Sequence, residues 1–355
     1  MVSILKINRE LGRLGQQSQG LLNRLTDNVT QRRLDYTVAA GLPKTDGMLP
    51  VADKIALFLL YQPEGLTDTT LDTCRKLSQA GYAPLVVSNS LLTITDRNRL
   101  KGVVWRIVER PNFGYDFGGY RDGLSCLRQW GIAPSEVLIL NDSIWFSTLP
   151  ETDLMDRLAA EPAEIAGTIL RNRGSEQFLE SYLYRLRRPA LEHPAFLAFW
   201  KNLKLTSNKY YVIRRGERGF SASMRAAGLR VAGVYDGSSL PKFMKQQDDR
   251  FLRLTLRYAA YIDVDLAADA KQLLQSNGPE WRHDVLVHVH KVLAKRQGYS
   301  SFPYAHMLFT GYPLLKKSSD QVSKAWRHAY LRAVEAKDLP APSTKLLMEI
   351  RDIDL

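Results

Sequence analysis

Val103-Val-Trp-Arg-Ile-Val-Glu109, then Arg110-Pro-Asn-Phe-Gly-Tyr-Asp-Phe-Gly-Gly-Tyr-Arg-Asp-Gly123, then Glu136-Val-Leu-Ile-Leu-Asn-Asp142 is the stretch that decides the fold. An apolar run of strand length is followed by a glycine-bearing loop. A helical segment, Phe117 to Trp130, then stops at Gly131, and a second apolar run follows. Runs with no polar alternation belong to strands buried on both faces. Working outward, the same alternation recurs. Ile55–Tyr61, Pro84–Ser88 and Ile165–Leu170 read as further strands, and 67–80, 96–101 and 153–160 as intervening helices. Thr67 or Asp68 is placed to cap the first helix, with Gly81 at its end. Strands alternating with helices imply an α/β fold with a mostly parallel, Rossmann-like sheet covered by helices on both faces. In such sheets ligands bind beyond the carboxyl ends of the strands.

The bulk properties bound the class. The 355 residues are 45% apolar and 24% charged, the balance of a globular chain. No apolar run approaches the roughly 18 to 20 residues of a membrane span. No leader pattern stands at Met1-Val-Ser-Ile-Leu-Lys, and Cys74 and Cys126 give no disulfide framework. The expected location is cytoplasmic. The net charge of +12 favours anionic partners, with basic residues at Arg171, Arg173, Arg185, Arg187 and Arg188 and again from Lys201 to Arg218. They are not interleaved with aromatics in any nucleic-acid signature, so nucleic acid is not an expected partner. A solvated basic face accounts for such a pattern equally well.

Three regions are expected: a helical arm and linker over 1–53, an α/β domain over 54–245, and a mainly helical region over 246–355. Candidate helices in the last are 248–260, 266–275, 284–295 and 319–334, with a short polar tail after Pro340 and Pro342. His283, His288 and His290 fit no familiar zinc spacing, so a structural or surface role is expected for them.

The residues after each strand carry the chemistry. Tyr61 ends the first strand and is followed by Gln-Pro-Glu-Gly, which is no dinucleotide fingerprint; a phosphate-binding P-loop is absent throughout. Asn89, after the second strand, can meet a base or ribose, or simply make a turn. After the third strand, Gly114, Gly118 and Gly119 allow close backbone approach where a helix starts, and amides there can face a phosphate. Asp116 is placed to cap that helix. The embedded Asp116-Phe-Gly118 matches a kinase triplet, but the companion kinase motifs are missing. Asn141-Asp-Ser143 follows the fourth strand. A carboxylate there, Asp142, is costly unless a cation or hydrogen-bond donors meet it. Magnesium or manganese held by this carboxylate and by substrate phosphates would do so, and a plain turn cap is the alternative. Farther on, Arg215-Gly-Glu-Arg-Gly219 reads as a loop leading into a helix that ends at Gly228. Glu217 is there a general-base candidate, or a first-turn acid favoured by the helix dipole.

Taken in order, these motifs resemble the rhamnan synthesis F family of bacterial glycosyltransferases. The resemblance rests on Arg110-Pro-Asn-x-Gly-Tyr-Asp-Phe-Gly-Gly-Tyr-x-x-Gly-Leu124, on Leu138-Ile-Leu-Asn-Asp-Ser143 and on Phe178-Leu-Glu-Ser-Tyr-Leu183. The Glu217 loop and Tyr304-Ala-His-Met-Leu-Phe-Thr-Gly-Tyr-Pro-Leu-Leu-Lys316 extend it, so that it spans about Lys54 to Lys317. The resemblance implies a GT-A-like fold and a nucleotide-sugar donor. It implies transfer of a sugar such as rhamnose, with inversion, to a cell-surface polysaccharide or lipopolysaccharide. By similarity, Asn141 and Asp142 stand where GT-A enzymes carry an acidic metal-binding triplet, here with one carboxylate. Glu217 stands where related enzymes carry a catalytic acid, with Arg218 in place of a second. Asn112, Gly114 and Asp116 correspond to donor-contacting positions. A glycan or lipid-linked glycan is the implied acceptor, with peripheral contact to an anionic membrane. The incomplete acidic motifs also leave open a non-catalytic scaffold of transferase fold.

Overall fold

A computed structural model describes residues 26–173, 176–295 and 298–353. The part of the expected N-terminal arm before residue 26 lies outside them. The chain forms two compact units. One comprises the segments up to Asp142 and Ala160–Val234, the other Ser143–Ala159 and the segment from Tyr235 onward.

The first unit is built on an eight-stranded sheet. From one edge it runs β1 (Lys44–Asp46), β4 (Arg106–Glu109), β3 (Tyr82–Ser88), β2 (Lys54–Leu60), β5 (Glu136–Asn141), β10 (Leu183–Arg187), β7 (Ile165–Gly167) and β11 (Val231–Gly233). The run β4-β3-β2-β5 is parallel throughout, with Leu59 opposite Asn141 and Leu60 opposite Ser88. β10 enters antiparallel to both β5 and β7, while β11 is parallel to β7. This mostly parallel α/β sheet is of the class the resemblance implies. A hairpin of β8 (Leu170–Arg173) and β9 (Glu176–Leu179) stands apart from the sheet. The expected single strand over 165–170 is therefore two strands, β7 and β8, that belong to different sheets.

Strand alternation explains why both faces are apolar. Ile55, Leu57 and Leu59 share one core with Phe117, Tyr120, Leu124 and Leu127 of α4 (Tyr115–Gln129). Ala56, Phe58 and Leu60 lie on the other face, also buried, on the side where α2 (Asp68–Gln79) packs against β3. Residues 26–40 form α1, whose Leu34 and Val38, with Leu42, join the α4 core, and α3 (Ile94–Lys101) lies between β3 and β4 in the chain.

The second unit is helical, apart from a short pairing of β6 (Ile144–Trp145) with β12 (Leu315–Lys316). Its core takes residues one helical turn apart: Leu252 and Leu256, Leu266 and Ala270, and Val285, Val289 and Val292. His288 is buried there, its Nε2 hydrogen-bonded to the Tyr261 hydroxyl at 2.8 Å, so its role is structural. The segment expected as a polar tail is a helix, Thr344–Asp352. Ser343 caps it and Leu346 and Ile350 pack inward, a spacing of four that a short polar composition conceals. No helix among the described residues is long and apolar enough to cross a membrane.

A methyl group at Gly118 would sit 2.2 Å from the Phe113 carbonyl oxygen, a backbone atom that cannot swing away. Gly118→Ala should therefore destabilise the chain by about 1–3 kcal/mol. A urea-unfolding midpoint unchanged from the parent would show that the loop and α4 do not pack this closely.

Candidate active site

The loop between β4 and α4 is held by one guanidinium. Arg110 Nε donates to Asp122 Oδ2 at 2.7 Å, Nη1 to Asn89 Oδ1 at 2.6 Å and Nη2 to the Phe113 carbonyl at 2.7 Å. Both ion-pair side chains are wholly buried. The other Asp122 oxygen accepts from Arg121, which also reaches Asp35. A buried charge is tolerable only with its hydrogen bonds met, so loop, strand end and helix are locked in one arrangement.

The turn into α4 is tight. Gly114, the N-cap, has φ 82°, and Tyr115 follows at φ 49°. Glycine is needed at the first position for a second reason: a side chain there would meet Leu205 at 2.9 Å. Tyr115 is held in its left-handed conformation while its hydroxyl donates to the Ser207 carbonyl at 3.1 Å. The cap position belongs to Gly114, so Asp116 lies inside the first turn, where it turns toward the end of β5.

Asp142 lies just past β5. Its own N–H donates to the Leu59 carbonyl at 3.1 Å, and its Oδ2 accepts the Tyr61 N–H at 2.9 Å. Asn141 is buried, and its side chain hydrogen-bonds to Asp116 and to Tyr120. Glu217 arrives from the segment that packs against α4. The segment expected as a loop is a π-helical turn, Ile213–Arg218, continuous with a short helix before it (Lys209–Val212) and another after it (Gly219–Ala226). Gly216 seats this turn on α4, since a Cβ there would fall 2.5 Å from the Phe117 ring. Glu217 Oε2 accepts the Ser181 N–H at 2.9 Å, and the Ser181 carbonyl accepts the Tyr120 hydroxyl at 2.9 Å.

Three carboxylates from three elements are thus brought within reach of one another's charge. Asp116 is pushed up to about 6, first by burial and next by the charge of Asp142, with Glu217 adding to it. Lys209 and the Asn141 hydrogen bond act the other way. Asp116 keeps some exposed surface, yet lies deep enough for loss of water to dominate. Tyr120 and Tyr184 are driven upward by burial and then by these carboxylates.

The other sequence candidates fall into two groups. Gly114 shapes the helix entry. Asn89 is buried with its side-chain oxygen on Arg110. Tyr61 contributes its backbone amide while its ring is exposed, and Asn112 is exposed on the loop. Four neighbours were not anticipated. Glu180 is 2% exposed and pairs with Arg171 at 3.3 Å; Tyr184 is fully buried between Glu217, Asp116 and Glu180; Lys209 and Tyr120 complete the surroundings. An acid embedded in Phe178-Leu-Glu-Ser-Tyr-Leu183 was the available signal.

Among the described residues no group of three or more histidine, cysteine or acidic side chains is arranged to hold a metal ion by itself. The donor set of Asp116 and Asp142 suits a hard divalent cation that takes its remaining ligands from water and substrate phosphates.

Because Asp116 rises from 3.8 to about 6, the folded chain holds a proton there that the unfolded chain has lost between those values. Stability from this group is therefore full in acid and is lost as pH rises from about 4 to about 6. Asp116→Asn removes that loss. Its stability relative to the parent should increase between pH 4 and pH 7.5 by on the order of 3 kcal/mol, about two pKa units' worth. Urea unfolding at the two pH values measures it; a gap independent of pH would contradict the coupling.

Comparison with known proteins adds the following. A family model described as rhamnan synthesis protein F matches residues 85–255. An uncharacterized protein, y4gN of Sinorhizobium fredii, is 33% identical over 261 residues, covering 73% of this chain and 68% of that protein. Among solved structures, a 4-diphosphocytidyl-2C-methyl-D-erythritol synthase matches 52% of this chain and 90% of its own, at 13% identity and TM-score 0.31. A mannosyltransferase of Pyrobaculum calidifontis, in complex with GDP-Man and Mn2+, matches 92% and 97% at 11% identity and TM-score 0.30. TarS of S. aureus, residues 1–349, matches 84% and 88% at 14% identity and TM-score 0.27. Likenesses of that depth carry no argument about the reaction.

Proposed function

This chain belongs to the rhamnan synthesis protein F family, and we propose that it is a glycosyltransferase that moves a sugar from a nucleoside-diphosphate donor to a glycan acceptor, free or lipid-linked. The observation that carries this reading is the mutual proximity of Asp116, Asp142 and Glu217 at the carboxyl edge of a parallel sheet, where such folds bind ligands. A rhamnosyl donor fits the family's description.

The donor's diphosphate would lie along the start of α4, whose glycines let backbone amides approach it. An acceptor hydroxyl attacks the anomeric carbon from the face opposite the diphosphate. The bond from that carbon to the diphosphate oxygen breaks, its electron pair leaves with the nucleoside diphosphate, and configuration inverts. Glu217 takes the acceptor's proton, oriented for that by the Ser181 amide. A divalent cation held by Asp142 and Asp116 would offset charge on the departing diphosphate. Lys209, whose charge already acts on Asp116, adds to the field there. Asn141 and the Tyr61 amide hold the two aspartates in place.

Glu217→Gln and Asp142→Asn should each lower sugar-nucleotide turnover by about 10²–10⁴-fold, with the chain still folded by circular dichroism. Asp68→Asn, in an exposed pair with Arg99, serves as the neutral control. Turnover near the parent's in both acidic variants would remove these roles.

A further inference from the structure

The outer face of the π-turn carries a second feature. Arg214, Arg218 and Arg225 line, with Glu176, Gln177 and Phe178, a recess of about 400 Å³. Phe178 is 4% exposed, so it forms a floor. The Arg218 guanidinium stands 5.5 Å from the ring centroid, and Arg171 stands 5.9 Å from it. Three arginines thus face the single carboxylate of Glu176. The Arg218 Nη1 to Glu176 Oε2 ion pair there is long, at 3.4 Å, beyond the usual charge-assisted range. Arg225 spends a donor on Gln177. Among the described residues the buried Arg218 Nε has no hydrogen-bond partner. A solvated basic face would splay its arginines into water. Here Arg171 and Arg218 both stand over a buried aromatic ring while Arg214 and Arg225 line the rim, and one buried Arg218 donor has no acceptor among the described residues, which costs stability unless a ligand meets it.

We infer that this recess binds an anionic oxygen group, a carboxylate or a phosphate ester, carried by the glycan acceptor. The inference rests on the transferase reading and names the acceptor's chemistry. Arg218 directly follows Glu217, and Arg214 lies about one helical turn before it, so the turn points its acid toward Ser181 and Asp116 and its arginines into the recess. An anion held there is anchored beside the base, on the side away from the aspartates that face the donor. Arginine forks match carboxylate and phosphate oxygens in pairs. The volume is at the small end of ligand pockets, which suits one or two sugar units and not a flat lipid surface.

The test is arginine footprinting of the full chain with phenylglyoxal, mapped by mass spectrometry, with glucuronate, glucose 1-phosphate, glucose and phosphatidylglycerol vesicles as probes. Glucuronate or glucose 1-phosphate should slow labelling of Arg214 and Arg218 about tenfold at ten times Kd, and the better of the two identifies the anion. Glucose should have no effect. R218Q should raise the probe concentration that protects Arg214 by about tenfold or more. A saturating mixture of UDP, GDP and dTDP should leave the protection intact. Separately, nucleotide-induced thermal stabilisation reports the donor site, so loss of one arm is told apart from loss of the other. The inference is overturned if neither anionic sugar protects, if glucose protects equally, if nucleotides abolish the protection, or if only the vesicles protect.

Discussion

The buried pairing of Arg110 with Asp122 is the constraint on which the site depends. A guanidinium with no access to water must place its donors on acceptors, and here they come from three elements: Asn89 after β3, the Phe113 carbonyl in the loop, and Asp122 on α4. Satisfying Arg110 therefore fixes how α4 starts relative to the sheet edge. The left-handed pair Gly114 and Tyr115 is the backbone consequence, since the chain must turn sharply to reach both Phe113 and the first turn of the helix. Gly118 and Gly119 then let α4 lie against the loop and against Leu59 with no side chain between.

What this frame holds is electrostatically unfavourable by itself. Asp116, Asp142 and Glu217 are each positioned by polar neighbours: the Asn141 side chain, the Tyr61 amide and the Ser181 amide. Those contacts set geometry without neutralising charge, and Asp116 is pushed upward first by its burial and then by the charges of Asp142 and Glu217. Such unrelieved like charge at a sheet edge is characteristic of sites that await a cation or an electrophile. The π-turn contributes in a related way. Widening the helix by one residue lets Glu217 reach the Ser181 amide while Arg214 and Arg218 line the neighbouring recess, so that the acid and the arginines share one short segment.

Much of the fold was legible because its determinants are local. β2, β3 and β5 are apolar runs of strand length, and α2 and α4 end at residues that stop helices, so their positions follow from composition and periodicity. β10 was not legible. Leu183-Tyr-Arg-Leu-Arg187 mixes charge into a central strand, because Arg185 is buried by donating to the Glu161 and Ala163 carbonyls, which only the fold supplies. The π-turn over 213–218 was hidden for a similar reason. One glycine and three arginines argue for a loop, and the packing of Gly216 on Phe117 overrides them. Asp116, Asp142 and Glu217 stood out as acids beside strand ends or helix starts. Glu180, Tyr184 and Lys209 did not, since what brings them close is the antiparallel β10 and the helix entering the π-turn.

The account turns on Asp116 sharing one electrostatic environment with Asp142 and Glu217. Carboxyl-carbon NMR titration of Asp116 measures that most directly. The midpoint should lie at about 6 in the parent chain and should fall toward the ordinary carboxylate range in Asp142→Asn, and by less in Glu217→Gln. A parent midpoint near 4, or a midpoint near 6 that neither substitution moves, would contradict the shared site.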